Sequence, residues 1–202
     1  MITLIPKVSC SMRKPLLGFL IGISLACSGA AAEPAVEGDA RDENSVLRSM
    51  GAKPIAALGT DAVRFSTEPQ LGGKAIVVET ARSSNGPHQV RVRRFNGHFR
   101  EGWSADGEWN FRISEQQYRA LTSRIDYLLT LPDPRPNCDE VAEGECMYVC
   151  TDGPGILVER AIGIRSFWRR GSCGPRHPND LAEELIRHLV RRNLGRRVYP
   201  SS

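Results

Sequence analysis

Four cysteines in the C-terminal half are the residues whose type and spacing could do chemistry. They stand at Cys138, Cys146, Cys150 and Cys173. Clustered cysteines either ligate a metal, usually zinc, or pair as disulfides. The Cys-x-x-Cys spacing typical of zinc ligands is absent from the sequence, and the export signal described below indicates an oxidising compartment, where disulfides persist. We therefore expect two disulfides, no metal and no cofactor.

The histidines and serines show no catalytic pattern. The four histidines are His88, His98, His177 and His188. No two of them have a metal-binding spacing such as His-x-x-x-His, and the sequence has no Gly-x-Ser-x-Gly elbow. We predict no catalytic residue from these patterns, although a hydrolase can assemble its triad from distant residues.

The N-terminus has the organisation of an export signal over residues 1–32. Two basic residues precede an apolar run at 15–26, and a row of three alanines ends at Ala32 as a cleavage site. The run is shorter than the roughly 20 residues that a membrane helix needs. We therefore predict a signal peptide, with Met1 or Met12 as the start, and no transmembrane helix in the mature chain.

The segment Ser24-Leu25-Ala26-Cys27 supports an alternative, because it resembles the lipobox of bacterial lipoproteins, in which the cysteine is lipidated. An aliphatic residue is expected where Ser24 stands. The predicted location is periplasmic or secreted, and the alternative is a lipid anchor on Cys27 in the outer membrane.

The charge of the chain argues against a nucleic-acid partner. The 202 residues include 27 Lys and Arg against 23 Asp and Glu, a net charge of +4. Removal of residues 1–32, which carry three basic residues and no acidic one, lowers this to +1, so the mature domain has no general attraction for nucleic acid. A local basic stretch remains at Arg187, Arg191, Arg192, Arg196 and Arg197. It suits either an anionic envelope surface or cations that stabilise a helix C-terminus.

Alternating apolar residues predict a sheet that begins near residue 61. Strands are expected at 61–67, 74–80 and 89–95, and the stretch 109–111 leads into a helix. Asn96-Gly97 follows the third strand and favours a tight type I′ hairpin. Before the sheet, residues 33–60 are expected to form a flexible leader, with one or two helical turns at Ser45–Met50.

Two amphipathic helices are expected to pack on one face of the sheet. The first starts at Ser114, which forms a capping box with Gln117, and ends before a pair of prolines. The second starts at Asn179 or Asp180 and ends at Gly195.

A hairpin is predicted between the helices, with strands at 156–162 and 164–168. It turns at Gly163, and Cys150 and Cys173 are nearly equidistant from that turn. They would therefore meet at the open end, within the roughly 4.4–6.8 Å between Cα atoms that a disulfide needs. We favour a Cys150–Cys173 bridge, which leaves Cys138 to pair with Cys146, out of three possible pairings.

These elements define an α+β domain at residues 61–195, followed by a basic tail at 196–202. The expected architecture is an antiparallel sheet of about four to six strands with two amphipathic helices packed on one face.

The motif Cys150-Thr151-Asp152-Gly153-Pro154, followed by an apolar hairpin, a returning Cys173 and an amphipathic helix, resembles a group of uncharacterised secreted bacterial proteins. The likeness covers roughly residues 74–193. That group has no assigned activity, so the resemblance implies none. Cys138 and Cys146 are additions to its pattern.

We expect an exported periplasmic or cell-envelope protein that acts as a non-enzymatic binding or structural domain. Its expected partner is an envelope protein or an anionic envelope surface. One alternative is an inhibitor of a secreted enzyme that uses the loop Leu131–Asn137 before Cys138. Another is a secreted hydrolase with dispersed catalytic residues.

Overall fold

The structure is a computed structural model, and it describes residues 35–69, 72–84, 86–98, 100–132, 155–171 and 177–199. All of these residues belong to one compact unit, residues 32–202. The strands are β1 Val36–Glu37, β2 Asp61–Glu68, β3 Gly73–Ala81, β4 His88–His98, β5 Gly102–Ile113, β6 Gly155–Ile162 and β7 Arg165–Arg170. The helices are α1 Ser45–Ser49, α2 Glu115–Thr130 and α3 Pro178–Leu194, with short 3-10 helices at Arg41–Glu43 and Ile55–Ala57.

The strands form one antiparallel sheet in the order β1-β7-β6-β2-β3-β4-β5. The β6–β7 hairpin joins β2, with Asp61 opposite Ile162 and Glu68 opposite Gly155. The α+β class is therefore confirmed. The described sheet has seven strands, not four to six, because the leader adds the two-residue strand β1, which is too short to show an alternating pattern.

One face of the sheet packs against α2 and α3, and we call it the helix face. Alternate residues of the strands, such as Val63, Phe65 and Val92, share a single apolar core with the stripes of both helices. Ile125 and Ile186 are the fully or almost fully buried centres of those stripes. The two predicted helices therefore lie over the same apolar layer of the sheet.

The opposite face, which we call the second face, is partly covered by α1. Val46 and Leu47 have no solvent exposure and pack on the sheet with Val77 and Leu157. Asn44 caps α1, since its side chain accepts hydrogen bonds from two backbone N–H groups of the helix. Residues 33–60 were predicted to form a flexible leader. The later part of this leader, which contains α1, is packed against the sheet because its few apolar residues lie on one side of that short helix.

The predicted hairpin turn at Asn96-Gly97 is wrong. Both residues lie inside β4, where Asn96 faces Ser104 and Gly97 faces Trp103, and the turn follows, with the Glu101 N–H donating to the His98 carbonyl oxygen. A Cβ at Gly97 would collide with the carbonyl oxygen of Gly102. Gly97 therefore allows the backbones of β4 and β5 to approach closely, and it does not form a turn.

The ends of the long helices follow the expected capping chemistry with one difference. Ser114 and Gln117 form the predicted capping box. The start of α3 lies earlier than predicted, at Pro178 with His177 as its cap, because proline suits the first helical position. Asn179 instead donates its side-chain amide to the carbonyl oxygens of Ile156 and Gly171, which fixes α3 to the sheet.

The β6–β7 hairpin turns at Gly163 as predicted, with Ile162 opposite Arg165. No helix within the described ranges is both long enough and apolar enough to span a bilayer.

Candidate binding site

One end of the second face forms an open polar depression of about 740 Å³. We call it the open face and define it by the side chains of Glu79, Gln89, Arg91, Glu108, Asn110 and Arg112. Leu58, Arg82 and Pro87 contribute to its rim. Within the described part of the chain, α1 packs toward Phe95 and Trp103 at the other end of the same strands, so this region stays exposed.

The alternation of β4 creates the open face. Val90 and Val92 point into the helix-face core with no solvent exposure, so the residues between them point to the opposite face. The register places Gln89 opposite Arg112 and Arg91 opposite Asn110 on β5. The result is a two-strand ladder of amide and guanidinium groups.

Most polar groups of this ladder bind one another. Arg91 forms a bidentate salt bridge with Glu108, with Nε donating to Oε1 at 2.9 Å and Nη2 donating to Oε2 at 2.7 Å. The hydrogen bond from Arg91 lowers the pKa of the Glu108 carboxyl below its usual value. Gln89 donates its side-chain amide to Asn110 Oδ1 at 3.1 Å.

A buried ion cluster lies beneath the depression and holds Glu79 in place. Arg64 has no solvent exposure and lies between Glu79 Oε1 at 2.8 Å and Glu159 Oε2 at 3.0 Å. It also donates to the carbonyl oxygen of Lys53 in the leader at 2.7 Å. On the side of the open face, Arg93 donates to Glu79 Oε2 at 2.5 Å. Burial raises the pKa of Glu159, against the attraction of Arg64.

Two arginines in the depression have unused binding capacity. Among the described residues, the Arg112 guanidinium has neither an ion pair nor a hydrogen-bonding partner. Arg82 is half-exposed and makes only long contacts, at 3.4 Å to Glu115 and 3.8 Å to Asp61. The guanidinium groups in the depression can therefore donate hydrogen bonds to a carboxylate. The neighbouring amide groups of Gln89 and Asn110 are suited to hydroxyl groups.

His88 is the histidine closest to a catalytic arrangement, and its geometry is structural. It is fully buried and stacks on Tyr118 with ring centroids 4.2 Å apart. Its Nδ1 accepts a hydrogen bond from the Ser83 N–H at 2.9 Å, so Nε2 carries the proton and donates to Glu115 at 2.6 Å. Both ring nitrogens are therefore engaged within the protein, and His88 ties the start of β4 to the start of α2.

Two further histidines accept hydrogen bonds from nearby backbone N–H groups. His98 Nδ1 accepts from Arg100, and His177 Nδ1 accepts from Asn179. His188 is exposed on α3. His98 and His177 therefore bind the local backbone, and His188 is a surface residue.

The cysteines proposed as site residues lie outside the described residues. They are Cys27, Cys138, Cys146, Cys150 and Cys173. The same holds for residues 133–137 of the loop assigned to the inhibitor alternative. Within the described ranges, no group of three or more His, Cys, Asp or Glu side chains could hold a metal ion.

The residues of the open face were not singled out by sequence patterns. The alternation around Arg91 and Arg93 identifies the face to which they point, but no sequence motif marks that face as a site. A signal that could have found the site is a pair of neighbouring strands whose residues on one face are all polar. These strands are at Gln89–Arg93 and Glu108–Arg112, and they pair with each other.

Comparisons of this chain with protein-family models, with curated proteins and with solved structures returned no match.

Proposed function

We propose that this protein is an exported, non-enzymatic binding domain of the cell envelope and that its open face binds a carboxylated polysaccharide. The observation that carries the proposal is the pair of arginines in the depression with unused donors, Arg112 and Arg82. Export and location rest on the predicted signal peptide at 1–32, with lipidation of Cys27 as the alternative.

The chemistry of the depression favours an acidic ligand. Glu79 is occupied by Arg64 and Arg93, and Glu108 is occupied by Arg91. The carboxylates present are thus neutralised internally, whereas Arg112 is not. A ligand carboxylate at Arg112 gains a charge-assisted hydrogen bond without breaking an existing pair.

The lining favours a sugar chain over a peptide. Only Leu58, Ala81 and Pro87 of the lining residues are apolar, so apolar side chains of a peptide would find few partners. The hydroxyl groups of a sugar can both donate and accept, which suits the Gln89–Asn110 amide pair and Glu108. The depression also lies on the face of the sheet, whereas extended peptides usually add to a sheet edge.

Titration with oligogalacturonate, followed by calorimetry and by amide chemical shifts of β4 and β5, tests this function. We expect saturable binding that weakens with salt, because the contacts are charged and solvent-accessible. The methyl-esterified oligomer, which has the same shape without the carboxylates, should not bind. Arg112→Gln should weaken binding about tenfold or more, the value of one charged hydrogen bond.

Arg124→Gln is the matched control, because it removes one exposed positive charge from α2, away from the depression. Equal loss in both variants would assign the effect to net charge and contradict the open face as the site. Binding of oligoglutamate without binding of oligogalacturonate would contradict the polysaccharide.

No observation on the described residues favours the two alternative functions. The inhibitor rests on the loop before Cys138, most of which lies outside those residues. The hydrolase would need a base beside a nucleophile, and His88, which has a carboxylate partner, uses both ring nitrogens within the protein.

A further inference from the structure

A second cleft lies at the C-terminal end of α3, on a different part of the molecule from the open face. Its volume is about 470 Å³, and it is lined by Glu184, Arg187, His188, Arg191, Arg192, Gly195 and Arg196. We call it the basic cleft. Between Glu184 and Val198 the sequence has five arginines and no acidic residue.

The cleft is built by the chain segment that follows α3. Gly195 ends the helix with φ +80°, a conformation that favours glycine. The chain then folds back, and Arg191 donates from Nε to the Tyr199 carbonyl oxygen at 3.0 Å. Tyr199 is almost fully buried, and its hydroxyl donates to Glu183 at 3.3 Å. This return brings Arg196 to the same cleft as Arg191 and Arg192.

The positive charge of the basic cleft is only partly neutralised. Arg187 pairs with Glu183 at 2.8 Å, and its Nε–H is buried without a hydrogen-bonding partner among the described residues. Arg192 and Arg196 are exposed, and within the described ranges neither has an ion-pair partner. The helix C-terminus adds about half a negative charge, which stabilises one cation but not four.

We propose that the basic cleft binds the phosphate groups of anionic lipid headgroups. Guanidinium groups bind phosphate oxygens with paired hydrogen bonds. The four arginines of the cleft spread over the helix end and the returning segment, so they can contact more than one phosphate. Such an array fits a surface that presents several phosphates, and a lipid leaflet is such a surface. This proposal does not depend on the open face.

Co-sedimentation of the full chain with vesicles tests the proposal. We expect binding to vesicles of phosphatidylglycerol and phosphatidylcholine, and none above background to phosphatidylcholine alone. Arg192→Gln combined with Arg196→Gln should lower the affinity for the phosphatidylglycerol-containing vesicles about thirtyfold, since each arginine near an anionic surface contributes about fivefold. Residues 1–32 are the same in every variant, so any contribution they make to vesicle binding cancels when the variants are compared.

Arg119→Gln combined with Arg124→Gln is the matched control, because it removes two exposed charges from α2. It should leave vesicle binding unchanged. Equal loss in both double variants would overturn the basic cleft as the site. Unchanged vesicle binding with a lower melting temperature in Arg192→Gln/Arg196→Gln would assign the arginines to helix stability alone and overturn it as well. Binding of soluble tripolyphosphate without binding of anionic vesicles would overturn the lipid as the source of phosphate.

Discussion

Arg64 holds a positive charge at a position without solvent exposure, and two carboxylates and a leader carbonyl surround it. Taking these charges out of water is costly, and their mutual attraction offsets that cost only while the cluster is complete. The same cluster fixes Glu79, which faces the open depression. Binding geometry and core stability therefore depend on one side chain.

Replacement Arg64→Met should lower the free energy of unfolding by about 3–5 kcal/mol, because Glu159 loses the guanidinium that balances its buried charge. Urea denaturation measures this. Arg91→Met, which breaks the exposed pair with Glu108, should cost less than about 1 kcal/mol. A second substitution, Glu159→Gln, should recover part of the loss from Arg64→Met, and equal costs for both single arginine variants would contradict the role of the cluster.

Glu159 and Glu108 should contribute to stability with opposite dependence on pH. The pKa of Glu159 is raised in the folded state by burial, so its contribution is present below the unfolded value of about 4.3 and is lost as the pH rises through the folded pKa. The pKa of Glu108 is lowered by Arg91, so its contribution is present above the unfolded value and is lost as the pH falls.

Denaturation from about pH 2 to about pH 7 checks this pair, because the contribution of Glu108 changes below the unfolded value of about 4.3 and that of Glu159 changes above it. The unfolding free energy of the wild type minus that of Glu159→Gln should fall with rising pH, and the same difference for Glu108→Gln should rise. If both differences in unfolding free energy changed in the same direction with pH, the pKa shift of one of the two carboxyls would be contradicted.

At the scale of the elements, α1 converts the end of the leader into part of the domain. Leu47 is fully buried on the second face. Leu47→Ala should therefore lower the unfolding free energy by about 2–5 kcal/mol, by removing buried methyl groups and leaving a cavity. Val36→Ala, at a half-exposed position of β1, should change it by less than about 0.5 kcal/mol. A similar small effect for Leu47→Ala would mean that α1 is detached in solution.

The elements with local signals could be predicted from the sequence. Ser114 with Gln117 specifies the start of α2 through side-chain and backbone groups three residues apart, and Gly163 marks a turn between two apolar runs. The turn prediction at Asn96-Gly97 was wrong because glycine also allows two strands to approach closely. Here the backbone of Gly102 on the neighbouring strand lies against Gly97, and that contact is not visible in the local sequence. β1 could not be predicted because its pairing with Phe167 and Trp168 of β7 is remote in sequence.

The candidate site depends even more on remote partners. The alternation of β4 indicates that Arg91 and Arg93 share a face, yet it does not reveal that Arg93 binds Glu79 and that Arg112 has no partner among the described residues. Those facts follow from strand register and from the buried Arg64 beneath. Local patterns contain neither.

At the scale of the whole molecule, the disulfides remain a prediction. Mass spectrometry of the exported, unreduced protein should show one peptide pair that joins Cys150 to Cys173 and another that joins Cys138 to Cys146. Each bridge should contribute about 2–4 kcal/mol, so reduction should lower the denaturation midpoint. Free thiols or bound zinc at these positions would contradict both the pairing and the oxidising compartment, and a lipidated N-terminal Cys27 in the same spectra would establish the anchored form.

The strand order also governs when this chain can finish folding. One edge of β2 pairs with β3, which follows directly, whereas its other edge pairs with residues 155–162. While the ribosome is still making the second half of the chain, the edge of β2 that later pairs with β6 is unpaired. An unpaired strand edge can associate with other chains. Such non-local pairing slows folding. For the secretory precursor that the signal peptide at 1–32 predicts, that delay extends the interval in which the chain stays unfolded enough to pass through a translocation channel.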